Sequence, residues 1–189
     1  MSGALLRFDK AACARGGRLL FHDLDLRLEA GGAVLVTGPN GAGKSSLIRL
    51  AAGLLRPAAG RVERSAPAAL ADESLALDPR APLGRALDFW AGLDGSDASA
   101  GMAAFRLERL REVPVRMLST GQRKRAVLAR VAASGAPLWL LDEPANGLDE
   151  AGLECLAAAV GAHRSRGGAV LAASHQPLPI DGAKPLALA

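Results

Sequence analysis

From residue 33 the sequence reads Ala33-Val-Leu-Val-Thr37 and continues as Gly38-Pro-Asn-Gly-Ala-Gly-Lys-Ser45. The first run is continuously apolar and as long as a strand, which is typical of a strand buried on both faces of a parallel sheet. The second run fits the pattern G-x-x-x-x-G-K-[ST], whose glycines let backbone N–H groups point at phosphate oxygens where a helix begins. This order of strand, loop and helix predicts a phosphate-binding site in an α/β protein.

The loop residues have separate expected roles in binding a nucleotide. Lys44 is expected to bridge the outer phosphates, and the hydroxyl of Ser45 is expected to ligate Mg²⁺. A glycine-rich turn with an incidental lysine is the alternative, which the strand before it and the helix after it disfavour. The residues predicted to contact ATP here are Gly38, Pro39, Asn40, Gly41, Ala42, Gly43, Lys44, Ser45 and Ser46.

A second apolar run ends in two acids, because Leu138-Trp-Leu-Leu-Asp142 is followed by Glu143. Ligands bind at the carboxyl edge of an open parallel sheet, so Asp142 is expected to hold the water shell of Mg²⁺ opposite Ser45. Glu143 is placed to polarise a water molecule for in-line attack on the γ-phosphate. A solvated acidic pair at a strand end is the alternative, which the upstream phosphate loop disfavours.

Strand and helix patterns alternate along the chain, which predicts a parallel sheet with helices packed against it. A turn signal splits two helical segments upstream of residue 120, and these predict a small helical lobe. The stretch after Gln176 fits either a strand remnant or a loose tail. The predicted strands are residues 24–28, 33–37, 137–141 and 169–173, with a short strand before a surface loop in 65–82, and the predicted helices are residues 44–55, 83–93, 98–112, 121–133 and 150–166.

The segment Leu118-Ser-Thr-Gly-Gln122 directly precedes a helix with apolar residues at helical spacing. Ser119 is expected at the N-cap, where its hydroxyl, the free N–H groups and the helix dipole form a second end that can bind phosphate. Taken alone, an ordinary helix cap is the favoured interpretation. In combination with the upstream phosphate loop, a second anion site is favoured.

These motifs occur in the order found in ABC ATPases, and the chain resembles that family from about Leu5 to His175. Leu-Leu-Asp-Glu-Pro at 140–144, Asn146-Gly-Leu-Asp149 and Ser174-His175 also carry the resemblance. It implies an α/β P-loop NTPase fold of ABC type, with a mostly parallel sheet core, antiparallel N-terminal strands and a short helical subdomain. The implied single domain covers residues 1–189, with a nucleotide core at about 1–82 and 121–189 and a helical signature lobe at about 83–120.

The resemblance further implies a head-to-tail homodimer that closes over ATP. In such a dimer, Ser119, Gly121 and Gln122 of one copy contact the ATP that the other copy's phosphate loop holds. Asp149 resembles the acid that crosses between the two sites. His175 resembles the histidine that senses the γ-phosphate, with a lone exposed histidine as the alternative.

Three features narrow the resemblance within the family. Only 75 positions separate Lys44 from Ser119, which is a short helical lobe. The segment Cys13-Ala-Arg-Gly-Gly-Arg-Leu-Leu-Phe21, the helix around Leu87-Asp-Phe-Trp-Ala91 and Thr120 resemble the ATP-binding subunit of the haem exporter of cytochrome c biogenesis. That subunit would join integral membrane subunits of a haem-delivery complex at the cytoplasmic face of the bacterial inner membrane.

The sequence departs from the family pattern at two places. Arg15 falls near the position where many ABC proteins stack an aromatic ring on adenine, and a guanidinium can stack there instead. The glutamine that contacts Mg²⁺ and the attacking water is absent from residues 69–77. Glu73 is the candidate substitute because its carboxylate can reach a metal, with Asp72 and Ser74 as alternatives.

Composition limits the other classes of function. The 189 residues suffice for one domain, and no apolar run in the sequence approaches the length of a membrane span. The segment Met1 to Lys10 lacks a signal-peptide pattern, so we expect a cytosolic protein. Net charge is +4, but aromatic residues make up only 3% and tyrosine is absent, which leaves little for stacking on bases. No nucleic-acid partner is expected.

Three alternatives remain open at this point. The motifs also suit a small exporter ATPase for another substrate. An ABC protein that acts on DNA or the ribosome is disfavoured, because 75 positions without heptads leave no room for a coiled coil. A nucleotide switch without hydrolysis is suggested by the missing glutamine, but Glu143 argues against it.

Overall fold

Two sheets form the framework of the structure, a computed structural model that describes residues 3–189. Met1 and Ser2, at the start of the segment for which no signal peptide is expected, lie outside the described residues. The strands are β1 (Leu6–Arg15), β2 (Arg18–Leu28), β3 (Ala33–Thr37), β4 (Ala59–Arg64), β5 (Ala68–Ala71), β6 (Leu138–Asp142), β7 (Ala169–Ala173) and β8 (Lys184–Ala187). The helices are α1 (Lys44–Ala52), α2 (Leu83–Leu93), α3 (Ala98–Ala104), α4 (Thr120–Ala133) and α5 (Glu150–Ser165), with 3-10 turns at Glu108–Leu110 and Val115–Met117.

The parallel sheet has the strand order β5-β6-β7-β3-β8 and is covered on both faces. Every residue of β6 and β7 is buried, as the continuous apolar runs predict, and this includes Asp142 at the end of β6. Leu138 and Leu140 belong to the hydrophobic cluster shared with α1 and the antiparallel sheet, whereas Trp139 and Leu141 belong to the cluster shared with α4 and α5. The predicted parallel core is confirmed.

The antiparallel sheet, ordered β2-β1-β4, brings the N-terminal strands over the start of α1. Gly16 and Gly17 form the turn of the β1–β2 hairpin, and both have positive φ angles. Leu20 and Phe21 of β2 pack so closely on Gly43 that a Cβ there would lie 3.1 Å from the Cβ of Leu20. The hairpin therefore forms one wall beside the first turn of α1.

The helical lobe between β5 and α4 contains α2, α3 and the two 3-10 turns. The predicted helix over residues 98–112 is wrong beyond Ala104. Phe105 and Leu107 are both fully buried, and residues two positions apart cannot share one helix face. Arg106, with φ of 53°, turns the chain out of the helix so that both side chains enter the core. No helix within residues 3–189 is long and apolar enough to cross a membrane.

Two chain segments end differently from the sequence prediction. The helix predicted over residues 44–55 stops at Ala52, because Gly53 adopts a left-handed conformation and its N–H donates to the carbonyls of Arg49 and Leu50. The stretch after Gln176 contains β8, which pairs in parallel with β3, so the strand alternative is correct. The short strand predicted within residues 65–82 is β5.

Candidate nucleotide-binding site

A cleft of about 510 Å³ opens beside the carboxyl ends of β3 and β6 and the first turn of α1. This is the edge of a parallel sheet where ligands bind. The cleft brings together the phosphate loop, the predicted catalytic residues Glu143 and His175, and Arg15 beside the turn of the β1–β2 hairpin. Its lining residues are Arg15, Leu20, Asn40, Gly41, Gly43, Lys44, Ser45, Ser46, Arg49, Glu73, Glu143, Asn146 and His175.

The phosphate loop is held by its own lysine. The ammonium of Lys44 is buried and donates hydrogen bonds to the carbonyls of Gly38 at 2.8 Å and Pro39 at 3.1 Å. Gly38 passes so close to the backbone carbonyl of Leu188 that a Cβ would collide with it, so this position requires glycine. Gly38, Pro39 and the buried Ala42 thus shape the loop without lining the cleft.

The N-terminus of α1 is open. Its N-cap residue, Gly43, has φ of 102° and offers no capping side chain, and the first turn carries no acid. The first N–H groups of a helix lack intrahelical partners, and the helix dipole makes that end partially positive. With Lys44 and the hydroxyls of Ser45 and Ser46 at the same end, the cleft can bind a phosphate chain.

Asp142 lies beneath this loop with 4% of its surface exposed. Its Oδ1 atom is buried and has no hydrogen-bond partner. Burial raises the pKa of Asp142 above its ordinary value, an effect that Ser45 and Arg49 oppose and Glu143 and Glu73 reinforce. An unpartnered carboxylate oxygen beside a serine hydroxyl fits a hard divalent cation such as Mg²⁺.

Glu143 and His175 form a hydrogen-bonded pair at the rim of the cleft. The Nδ1 atom of His175 lies 2.8 Å from Oε2 of Glu143. Glu143 has φ of 47°, a strained value for a residue other than glycine, and its N–H donates to the carbonyl of Ala173. This backbone turns the side chain out of the β6 direction, so a carboxylate oriented by an imidazole faces the cleft.

Glu73, the candidate substitute for the missing glutamine, lines the cleft. Its neighbours Asp72 and Ser74 instead line a separate groove of about 760 Å³. The segment after β5 therefore has one side toward the nucleotide cleft and the other toward this groove, which we call the β5 groove. It runs along β5 to Trp90, Asp94 and the loop at residues 134–137.

The signature segment lies outside the cleft. Ser119 and Gln122 form a capping box at the start of α4, in which each side-chain oxygen accepts a backbone N–H of the other residue. Gly121 lies against the carbonyl of Gly147. Asp149 caps α5 by accepting the N–H of Gly152 at 2.9 Å. The predicted N-cap role of Ser119 is confirmed, and none of the four signature and crossing residues lines the cleft of its own chain.

Four side chains in or near the cleft were not predicted from the sequence to be site residues. Leu20, Arg49 and Asn146 line it, and Asn146 stood within a recognised motif. Lys124 of α4 is half-buried among the acids of the site: burial lowers the pKa of its ammonium, while Asp142 and three further acids oppose that shift. Leu20 and Lys124 have no local sequence signal, because tertiary packing alone brings them here.

Comparison with known proteins places this geometry in a family. The family model described as ABC transporter matches residues 21–146. The chain is 61% identical over 179 residues to the cytochrome c biogenesis ATP-binding export protein CcmA of Sphingopyxis alaskensis, covering 93% of this chain and 92% of that protein. The CcmA of Novosphingobium aromaticivorans is 59% identical, covering 94% and 92%.

A solved structure supports the fold independently. An ABC transporter ATP-binding protein from Pyrococcus furiosus has a TM-score of 0.83 at 21% identity, covering 97% of this chain and 96% of that one. At that identity the match supports the fold alone. The relatives that share about three fifths of their residues with this chain, and the matching family model, show that it belongs to the ATP-binding, ATP-hydrolysing subunits of ABC transporters, in the cytochrome c biogenesis export group.

Proposed function

We propose that this chain hydrolyses ATP to drive the haem exporter of cytochrome c biogenesis, working with integral membrane subunits of a haem-delivery complex. The observation that carries the proposal is that one cleft collects an open helix end, Lys44, Glu143 and His175. The names of the similar CcmA proteins supply the cytochrome c biogenesis export step. One ATPase domain over residues 1–189, with its core at 1–82 and 121–189 and its lobe at 83–120, would carry the activity.

The phosphate chain would enter between the loop and α1. Lys44 now donates to two loop carbonyls, and these bonds keep its ammonium beside the N–H groups where the outer phosphates would lie. Gly38 to Ser46 would wrap these phosphates. At the other end of the cleft, the guanidinium of Arg15 would stack on the base, since none of the lining residues is Phe, Trp or Tyr.

Mg²⁺ would be held by Ser45, Asp142 and Glu73. Bound there, the ion would neutralise charge on the β- and γ-phosphates. Asp142 offers a buried oxygen without a partner, which makes it the best-prepared of the three. Glu73 would reach the ion from the segment between the cleft and the β5 groove.

Glu143 would orient the attacking water through the carboxylate oxygen that His175 leaves free. The imidazole of His175 fixes Oε2 of Glu143, so the other oxygen can accept a hydrogen bond from water facing the γ-phosphate. His175 is also exposed at the cleft, where it can respond to that phosphate. Hydrolysis would then change the contacts that both residues make.

A second copy of the chain would complete the site. The signature residues Ser119, Gly121 and Gln122 and the crossing acid Asp149 lie outside the cleft of their own chain. A homodimer that sandwiches ATP would bring these residues over the γ-phosphate of the other copy. The capping box already orients Ser119, which supports a preformed surface for that contact.

The β5 groove is where we propose that a membrane subunit docks. It adjoins Glu73, and its lining carries two acids, Asp72 and Asp94, and one base, Arg130. Loops of membrane proteins at the cytoplasmic face carry an excess of Lys and Arg, which complements these acids. Docking there would hold the ATPase at the cytoplasmic face of the bacterial inner membrane and link the transporter to the segment that bears Glu73.

The test is an affinity capture of the chain from detergent-solubilised native membranes, with co-purified proteins identified and Mg²⁺-ATPase activity assayed. We expect haem-delivery membrane subunits and an activity that Glu143→Gln abolishes. Glu154→Gln, an exposed substitution of the same type, serves as the control. Recovery of an unrelated permease would overturn the haem assignment, and recovery of no membrane protein would overturn the coupling to a transporter.

A further inference from the structure

Trp90 and Arg130 meet at the wall of the β5 groove. The guanidinium carbon of Arg130, on α4, lies 5.0 Å from the ring centroid of Trp90, on α2. This distance is within the range of a cation–π contact. This pair therefore links α2 of the helical lobe to α4.

Both members of the pair also hold the segment that follows β5. Nη2 of Arg130 donates to the carbonyl of Leu70 at 2.6 Å, and Nε1 of Trp90 donates to the carbonyl of Ala76 at 2.6 Å. The two carbonyls stand on either side of Glu73 in the sequence. The pair thus holds both ends of the stretch that carries Glu73 into the nucleotide cleft.

Few hydrogen bonds fix this stretch, although Leu77 is buried in the core and Leu75 packs against it. Within residues 3–189, the hydrogen bond from Trp90 is the one that joins residues 72–77 to another element, and the bond from Ser74 N–H to Asp72 is local. Ala76 has φ of 50°, which is strained for alanine and is maintained where its carbonyl accepts the Trp90 N–H. The indole N–H therefore supplies the hydrogen bond from another element to residues 72–77, beside the packing of Leu75 and Leu77.

The guanidinium of Arg130 is not fully satisfied by hydrogen bonds. Nε of Arg130 is buried without a hydrogen-bond partner, and a buried unpartnered donor costs free energy. Burial also lowers the pKa of Arg130, although Asp72 and Asp94 oppose that shift. A side chain that retains this cost at the wall of the β5 groove is a candidate for a functional contact.

We infer that Trp90 and Arg130 are positioning residues that hold Glu73 toward the metal side of the nucleotide cleft and link its position to the β5 groove. Neither touches the cleft itself, since both line the groove. Filling the groove would press on the pair, and the pair would shift the Leu70 and Ala76 carbonyls together. The inference rests on the proposed metal role of Glu73.

The decisive variant is Trp90→Phe, which keeps a ring under Arg130 but removes the indole N–H. The Mg²⁺ concentration for half-maximal ATPase activity of the full chain should rise by about three- to tenfold, the effect of losing one hydrogen bond. Binding of a fluorescent ATP analogue without Mg²⁺ should be unchanged, because the phosphate loop is not altered. Leu93→Ala, an exposed change on the same helix, should leave both quantities unchanged.

Two further variants separate the inference from its premise. Glu73→Ala should raise the Mg²⁺ requirement by itself, and adding Trp90→Phe to it should have little further effect, because both act through one carboxylate. Arg130→Lys, which keeps a charge but loses the planar contact, should act in the same direction as Trp90→Phe.

If Glu73→Ala raises the Mg²⁺ requirement but Trp90→Phe does not, the positioning role is overturned while the metal role stands. If Glu73→Ala changes nothing, the metal role and the positioning role both fall. A lower melting temperature of Trp90→Phe with an unchanged Mg²⁺ requirement would show a purely structural contact, which also overturns the inference.

Discussion

The N-termini of α1 and α4, which follow the two glycine-containing motifs, differ in how many backbone N–H groups they leave without a partner. The start of α1 has a glycine N-cap and no capping side chain, so its N–H groups face the cleft. The start of α4 is closed by the Ser119–Gln122 capping box, which satisfies two of its donors internally. The first end can bind phosphate by itself. The second is a rigid, partly satisfied surface suited to contact a phosphate that is already held elsewhere.

This difference fits the position of the two motifs within residues 3–189, where the first lines the nucleotide cleft and the second does not. A capping box uses the same groups that an anion would use, so it lowers the intrinsic affinity of that helix end. It also fixes the orientation of the serine hydroxyl, which favours a contact made on dimer closure. Breaking either end should therefore produce different defects.

The largest expected effect comes from Glu143→Gln, which leaves both helix ends intact. ATP turnover should fall by about two to four orders of magnitude, because the amide cannot act as a general base. Binding should persist, and Mg²⁺-ATP should trap a stable dimer that size-exclusion chromatography detects. Hydrolysis at the unmodified rate would remove Glu143 from the mechanism.

The next effect comes from Lys44→Ala, which damages the open end alone. Affinity for ATP should fall by about a hundredfold, the consequence of losing about 3 kcal/mol of charge-assisted hydrogen bonding. Fluorescence titration with an ATP analogue measures this change. Lys184→Ala, at an exposed lysine of β8, is the control and should bind normally. Unchanged affinity of Lys44→Ala would show that α1 is not the phosphate end.

The smallest expected effect lies at the amino edge of the parallel sheet, away from the cleft. His163 is stacked on Trp139 with ring centroids 4.0 Å apart, and burial lowers its pKa. The unfolded chain takes up the proton near pH 6.5 while the folded chain resists it, so stability should fall as pH drops below about 6.5. Arg166 reinforces the shift, whereas the backbone at Ala169 and Pro137 opposes it.

The variant His163→Phe keeps a stacked ring but cannot titrate. The drop in melting temperature between about pH 7.5 and about pH 5.5 should be smaller in this variant than in the unmodified chain. The larger ring can shift the melting temperature at every pH, so the difference between the two pH values is the quantity to compare. An unchanged difference would remove His163 as a source of the pH dependence.

The parts of the site that are local in sequence were predictable. The phosphate loop, Asp142 and Glu143 follow from short patterns that combine a strand end with a polar residue. The capping role of Ser119 follows from its place before a helix. In each case the interactions that set the structure are made between residues close together in the sequence, so a short sequence pattern can predict them.

Contacts between distant segments were not predictable. Arg130 binds the carbonyl of Leu70 across 60 positions, and nothing in either neighbourhood indicates the pairing. The sequence favoured Glu73 over Asp72 and Ser74 by its chemistry alone, and it is the folded structure that shows Glu73 lining the cleft. The helix prediction past Ala104 failed for the same reason, because tertiary burial of Phe105 and Leu107 overrides local helix propensity.

In the proposed homodimer, the open end of one copy and the capped end of another copy share one ATP. A mixing experiment tests this sharing most directly, using Lys44→Ala, which damages only the cleft, and Ser119→Arg, which damages only the signature end. Each variant alone should be inactive, and ATPase activity should appear on mixing because a mixed dimer contains one intact composite site. Activity in Ser119→Arg alone, or a mixture no more active than its parts, would contradict the account.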